Sequence, residues 1–266
     1  MPRFHGRFLS LACSRRGPLI AKQAGMTARG GGSTDPPDRT PAESQYPERR
    51  PVEGEGVSYE RVVIQSARGP IETRFHCREG LDCGAIYVGG ARGGFESPAR
   101  GLYPALCAGL MPSRVCGLRV AFRDSHDLDG SVSDVLAALR FLHDQGLHDT
   151  VLVGYSFGGA VVARAAASSN RHSSFVRSVV LLATQAHGVE ALADLAPSCG
   201  ALIIHGTADT VLPPSCSEYA YQIAHQPKQL KLYPDADHSL DDVAADVRRD
   251  VREWILTRIR PSWGWS

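Results

Sequence analysis

The sequence predicts an α/β fold: a mostly parallel central sheet with an N-terminal antiparallel hairpin, helices on both faces and no large cap domain. Three observations carry this expectation. From residue 83 onward, short apolar runs alternate with segments of helical periodicity. The later runs are apolar on both faces, as strands covered by helices on either side must be. Two β-rich runs precede them, separated by Ala67-Arg68-Gly69, a hairpin signal.

The elements follow in order. Residues 57–66 and 70–77 are the hairpin strands, and 83–88 is a compact apolar strand ending in Gly89-Gly90. Leu102, Ala105, Leu106 and Leu110 recur at helical spacing and predict a helix over 98–110. A strand is expected over 119–122 and a helix over 132–145, where Ser131 and Asp134 resemble a capping box with Asp in place of Glu. Residues 151–153 run into Gly154-Tyr155-Ser156-Phe157-Gly158-Gly159 and a helix over 160–167. Residues 178–182 and 201–204 read as buried strands, each followed by a weaker helical pattern. A short strand over 230–233 and an amphipathic helix over 241–259 complete the series.

Composition bounds the function. The chain has 266 residues, 43% hydrophobic and 21% charged, with formal net charge +1, which suits one large domain. No apolar run approaches the roughly eighteen residues of a membrane-spanning helix, so no span is expected. Near-neutrality argues against a nucleic-acid binder that works by neutralising phosphates. The charge is uneven: Met1 to Thr34 holds six basic residues and no acid, leaving 23 basic against 28 acidic in the remainder, net about −5. An Arg-rich, acid-free leader with interspersed Ser has the composition of an organelle transit peptide for a plastid or mitochondrion, with the cytoplasm as the alternative location. Its apolar stretches are too short for a secretory signal. Residues 30–56 are rich in Gly, Pro and Glu and read as linker, so the expected domains are a tail over 1–56 and a folded unit over 57–260. Seven cysteines show no C-x-x-C pair and no paired spacing with His, which predicts neither a zinc site nor a redox dithiol. An odd count fits a reducing compartment, with Cys77 and Cys83 close enough to pair across a turn.

The chemistry is concentrated at Gly154-x-Ser156-x-Gly158, placed after a strand and before a helix. That is the pattern of a nucleophile elbow, a turn so tight that side chains two residues either side of the serine would collide. The helix that follows points free N–H groups and its positive end at the hydroxyl. A serine needs a base, and the base an orienter. The run 201–204 ends in His205-Gly206-Thr207-Ala208-Asp209, and 230–233 leads to Asp235-Ala236-Asp237-His238-Ser239. Asp209 stands at the end of a predicted parallel strand, where open α/β sheets build their sites. His238 stands in a loop before the last helix. His205 is a second base candidate, Asp235 and Asp237 are alternative orienters, Asp134 reads as a helix cap and His187 as a solvated loop residue.

These three motifs, in this order, resemble the α/β-hydrolase superfamily over 57–259, with a looser likeness to dienelactone-hydrolase-like proteins and a sparsely characterised branch beside them. The resemblance implies Ser156 as nucleophile, His238 as general base and acid, and Asp209 as orienter. It implies an oxyanion hole from the backbone N–H of Phe157 and of a residue in Gly89-Gly90-Ala91-Arg92-Gly93-Gly94-Phe95. The register there suggests Ala91, with Arg92 the alternative and Gly89 standing where the family's loop has His. Arg92 and Tyr155 are candidate substrate-binding residues, Arg92 as partner for an anionic group.

Only residues 183–200 separate two strands between which many family members insert a lid, so an open site for a small acyl group is expected. The expected activity is hydrolysis of a carboxylic ester or thioester by a serine hydrolase, with a small-molecule substrate and neither cofactor nor metal. Two other readings use the same residues: a non-catalytic binding protein of this fold, and a serine peptidase acting on short peptides.

Overall fold

A computed structural model describes residues 50–54, 57–170 and 175–259. The leader and most of the linker expectation therefore lie outside the described residues. Among the described residues nine strands form one sheet: β1 Arg50–Gly54, β2 Val57–Ile64, β3 Ile71–His76, β4 Cys83–Val88, β5 Val115–Val120, β6 Asp149–Tyr155, β7 Val176–Leu182, β8 Gly200–Gly206 and β9 Lys228–Tyr233. Their spatial order is β1-β2-β3-β5-β4-β6-β7-β8-β9, antiparallel up to β5 and parallel from there on. The helices are α1 Pro98–Leu110, α2 Leu128–Asp144, α3 Phe157–Asn170, α4 Ser215–Ile223 and α5 Ala244–Arg258.

The inner parallel strands are buried along almost their whole length: β4, β5 and β8 have no exposed residue, while the edge strand β9 is partly exposed. Each side chain alternates between two apolar layers. One lies under α2 and α3 and includes Ile86, Leu118, Val135, Phe141, Leu152 and Ala163. The other lies under α1 and α5 and includes Tyr87, Leu102, Leu106, Val153, Val251 and Ile255. Burial of these side chains, each contributing about 1.5–3 kcal/mol for a large aliphatic or aromatic residue, closes the sheet from both sides. Trp254 of α5 donates its indole N–H to Ser178 Oγ at 2.7 Å, and Ser178 donates to the Gly200 carbonyl at 2.8 Å, so the buried indole and hydroxyl between α5 and the sheet are satisfied.

Several sequence expectations shift. Among the described residues the sheet already includes Arg50–Gly54, inside the stretch read as linker and ahead of the expected start at 57: β1 is an edge strand, which needs only backbone pairing with β2 on one side and no apolar pattern. The strand expected over 119–122 runs from Val115 to Val120, its apolar character masked by Gly117 and Arg119. Helix α2 begins at Leu128, not 132, because Asp127 is the N-cap, its side chain accepting the Gly130 N–H. The Ser131/Asp134 capping box is therefore not formed. Ser131 donates to the Asp124 carbonyl, and Asp134 is buried and paired with the guanidinium of Arg123. Removing one partner of such a pair leaves a buried charge uncompensated. Asp134→Ala is expected to cost about 3 kcal/mol, a fall of roughly 6–12 °C in Tm, measurable by thermal denaturation.

The cysteine expectation is also corrected. Cys77 joins Cys116, not Cys83, in a disulfide with Cα atoms 4.6 Å apart, while Cys83 and Cys107 are buried thiols outside any disulfide. The β3–β5 register pairs His76 with Gly117, so Cys77 and Cys116 directly follow as cross-strand neighbours at the short Cα spacing of a non-hydrogen-bonded pair. A separation of 39 residues gives no sequence signal for this.

Candidate active site

The order in which strands are added to the sheet reverses between the parallel neighbours β4 and β6. From β4 the chain leaves through α1, on one face, toward β5; from β6 it leaves through α3, on the other face, toward β7. Adjacent strands whose exits diverge leave a crevice at their carboxyl ends. The loop after β4 and Ser156 after β6 meet there.

Ser156 has φ +54°, the left-handed region that a residue with a Cβ occupies only when its surroundings force it. The surroundings do so. Its N–H donates to the Leu182 carbonyl at 2.8 Å and its carbonyl accepts the Gly159 N–H at 3.0 Å. A Cβ on Gly154 would lie 2.1 Å from the Gly158 carbonyl oxygen, and one on Gly158 would lie 2.4 Å from the Gly89 carbonyl oxygen. The two glycines thus allow strand, helix and β4 loop to touch backbone to backbone. Gly158→Ala is expected to cost about 1–3 kcal/mol, because the contact it meets is main chain and cannot rotate away. A Tm equal to wild type would contradict this packing.

Ser156 Oγ lies 3.1 Å from His238 Nε2, and His238 Nδ1 lies 2.7 Å from Asp209 Oδ2. The three residues come from the ends of β6, β8 and β9, the last two brought together by backbone bonds: Thr207 N–H to the Tyr233 carbonyl at 2.9 Å and Ala208 N–H to the Ala236 carbonyl at 3.0 Å. Asp209 is nearly buried; its Oδ1 accepts the Val211 and Leu212 N–H groups at 2.8 and 2.9 Å. Burial pushes its carboxyl up, but the bonds from Leu212 N–H, His238 and Val211 N–H outweigh burial and hold it below the usual carboxylate value. The Tyr155 ring packs 5.1 Å from the His238 imidazole, and burial, then the nearby Glu96 carboxylate, push its phenol up.

The other candidates have different places. Asp237 accepts from Ser239 Oγ and the Leu240 N–H and braces the loop that carries His238. Asp235 is exposed, its N–H donated to Thr207 Oγ1. His187 is exposed. His205 is fully buried beneath the Asp209 loop and does not reach Ser156. Phe157 opens α3 directly after the serine, its ring packed edge-on against Phe122. Ala91 is exposed, its carbonyl held by Ser125 Oγ at 2.7 Å. Arg92 is 89% exposed, with its Nε 3.7 Å from Glu96 Oε1.

Glu96 is a residue that sequence reasoning missed. Its Oε2 accepts the Gly90 N–H at 3.0 Å, and Gly90 itself lies against Ser156: a Cβ there would be 3.2 Å from the serine Cβ. The carboxylate thus occupies one backbone donor of the β4 loop and fixes its path. A glutamate six residues beyond a Gly-Gly pair has no motif to announce it. The loop is further anchored by Tyr103, whose hydroxyl donates to the Val88 carbonyl at 2.9 Å, and by the Ala99 N–H, which donates to the Ser239 carbonyl at 2.8 Å. Between β7 and β8 there is one short 3-10 turn, Val189–Asp194, and no cap. Among the described residues no group of three or more His, Cys, Asp or Glu side chains is arranged to hold a metal ion, and no helix is long and apolar enough to cross a membrane.

Solved structures share this architecture. Dienelactone hydrolase from Anabaena variabilis superposes with a TM-score of 0.66, covering 76% of this chain and 98% of its own, at 18% identity. The chain has the α/β-hydrolase fold. Other matches of the same fold are Est1E from Butyrivibrio proteoclasticus (TM-score 0.64, 16% identity, 74% and 98% covered) and XC6422 from Xanthomonas campestris (0.56, 19%, 77% and 98%), described as an α/β serine hydrolase without lid. At the level of sequence, YfhR of Escherichia coli K12, itself described as uncharacterized, is 29% identical over 158 residues, covering 50% of this chain and 55% of the relative. The chain spans about half the length of the curated relatives it matches. No family model matches the sequence. Within the α/β-hydrolase fold, the crevice at Ser156 occupies the position that the topology provides for a site.

Proposed function

We propose that the protein is a serine hydrolase that cleaves a small carboxylic ester or thioester through an acyl-enzyme intermediate. The observation that carries this is the continuous chain of hydrogen-bonding contacts from Asp209 through His238 to Ser156. In this reading His238 Nδ1 donates to Asp209, which leaves the Nε2 lone pair facing the serine hydroxyl. Nε2 takes the hydroxyl proton as Oγ attacks the carbonyl carbon. The tetrahedral oxyanion receives the N–H of Phe157 and, from the β4 loop, that of Ala91; each such donor is worth about 3–4 kcal/mol. Gly90's N–H is committed to Glu96, which favours the next residue as donor. Collapse breaks the carbonyl–oxygen or carbonyl–sulfur bond, and the leaving alcohol or thiol takes the proton from His238. Water, deprotonated by the same imidazole, then releases the acid. Asp209 remains ionised throughout, consistent with a carboxyl held below its usual value.

The substrate class follows from what surrounds the serine. No cap stands between β7 and β8, which supports a small acyl group over a long lipid chain, and Arg92 offers an exposed cation beside the crevice. Est1E, a neighbour of the same fold, has been solved with ferulic acid bound. The N-terminal leader is proposed to direct the protein to a plastid or mitochondrion. A series of p-nitrophenyl esters and acyl thioesters of increasing chain length tests the assignment. Turnover is expected to peak at short acyl groups, with no jump where the longer esters form micelles. Turnover confined to long-chain esters above that point would contradict the open-site reading.

A further inference from the structure

His205 sits at the end of β8 with no exposed surface and takes part in no step above. Its Nδ1 lies 2.6 Å from Ser217 Oγ of α4, which is also fully buried. Its Nε2 lies 3.0 Å from the Leu212 carbonyl and 3.0 Å from Asp209 Oδ2. Both neighbours of Nε2 are acceptors without a hydrogen, so Nε2 carries one. Nδ1 then presents its lone pair to the Ser217 hydroxyl, which donates to it. Asp209 Oδ2 is therefore held between two imidazoles, His238 on the open side and His205 on the buried side.

We propose that His205 and Ser217 are positioning residues that hold the Asp209 carboxylate against His238, with the Ser217 hydroxyl fixing the ring orientation at which His205 Nε2–H meets Asp209 Oδ2. The inference rests on the reading of Ser156, His238 and Asp209 given above. If the Ser217 hydroxyl is removed, His205 Nδ1 loses its donor and the ring loses the contact that fixes its angle, while Nε2, still facing two acceptors, keeps its hydrogen. The Nε2–H would then turn toward the Leu212 carbonyl, and the Asp209 carboxylate would lose its donor on the buried side and recede from His238. His238 would lose part of the charge that stabilises its imidazolium. Other groups near His238 do not compensate: Asp237 is engaged with Ser239 and Leu240, Glu96 with Gly90, and Tyr155 and Ser156 are neutral.

The test is an NMR titration of the 15N-labelled full chain, reading the ring nitrogens of His205 and His238 in wild type, Ser217→Ala and Ser217→Thr. Wild type is expected to show His205 protonated at Nε2. In Ser217→Ala the hydrogen should stay on His205 Nε2 but its resonance should move as the contact with Asp209 lengthens, and the His238 midpoint should fall by about half a pH unit or more, as expected when a carboxylate partner recedes. Ser217→Thr, which keeps the hydroxyl, should restore both. His205→Gln, which retains a donor toward Leu212 and Asp209, should stay closer to wild type than His205→Leu. With an ester substrate, Ser217→Ala should lower kcat about tenfold at unchanged KM, with the acid limb of its pH profile displaced by the same amount. An unchanged His238 midpoint and unchanged His205 Nε2–H resonance in Ser217→Ala overturn the proposal, whatever the activity, as does a wild-type His205 that carries its hydrogen on Nδ1. A displaced midpoint in a protein that hydrolyses no ester leaves the clamp standing and removes the hydrolase reading instead.

Discussion

Ser156→Ala is expected to lower kcat by about 10⁶-fold, because nucleophile and base act as a unit and neither retains its effect without the other. The fold should survive. Alanine at φ +54° carries the same backbone cost as serine, and the lost contact is a single 3.1 Å bond to a partly exposed histidine. Its Tm should therefore match wild type within a few degrees. Ser156→Gly sharpens the experiment. Glycine relieves the left-handed strain, worth about 1 kcal/mol, so this variant should be equally inactive yet melt roughly 2–4 °C higher. A protein that gains stability while losing all turnover carries at Ser156 a residue kept for chemistry, not packing. Activity within tenfold of wild type in either variant would contradict the assignment.

Asp209→Asn should cost about 10⁴-fold in kcat with the geometry nearly unchanged. The direction follows from the contacts. Two backbone N–H groups, Val211 and Leu212, require an acceptor on one side of residue 209. An asparagine satisfies them only by turning its oxygen toward them, which presents its NH2 to His238. His238 Nδ1 must then be the lone pair and Nε2 the N–H, leaving no base for Ser156. The same substitution has a pH signature. The folded-state value of Asp209 lies below its unfolded value, so its contribution to stability is present above the unfolded carboxylate range and is lost as pH falls through the lowered folded value. Asp209→Asn should remove that part of the acid-side loss, seen as a flatter dependence of Tm on pH at the acidic end. An unchanged slope would place the titration elsewhere.

The parts of the molecule that were legible in the sequence share a cause. Buried parallel strands must be apolar on both faces, so β4, β6, β7 and β8 stand out as runs, and the elbow needs glycine at 154 and 158 because backbone atoms lie within 2.1 and 2.4 Å of where a Cβ would be. Such steric demands leave residue types that can be read. β1 and the start of α2 were not legible because an edge strand and a single capping Asp make weak demands on their neighbours. Asp134 illustrates the opposite failure: three residues after Ser131 it looks like a cap, yet its charge is used against Arg123, eleven residues earlier. Cys77–Cys116, Glu96 on Gly90 and His205 on Ser217 depend on register and loop path, which leave no local pattern.

Activation of Ser156 is read out by reaction of the purified protein with a fluorophosphonate probe, followed by mass-spectrometric mapping of the adduct. A single modification is expected at Ser156, lost in Ser156→Ala and in His238→Ala. A folded wild-type protein that remains unmodified, or is modified equally well in His238→Ala, would contradict it.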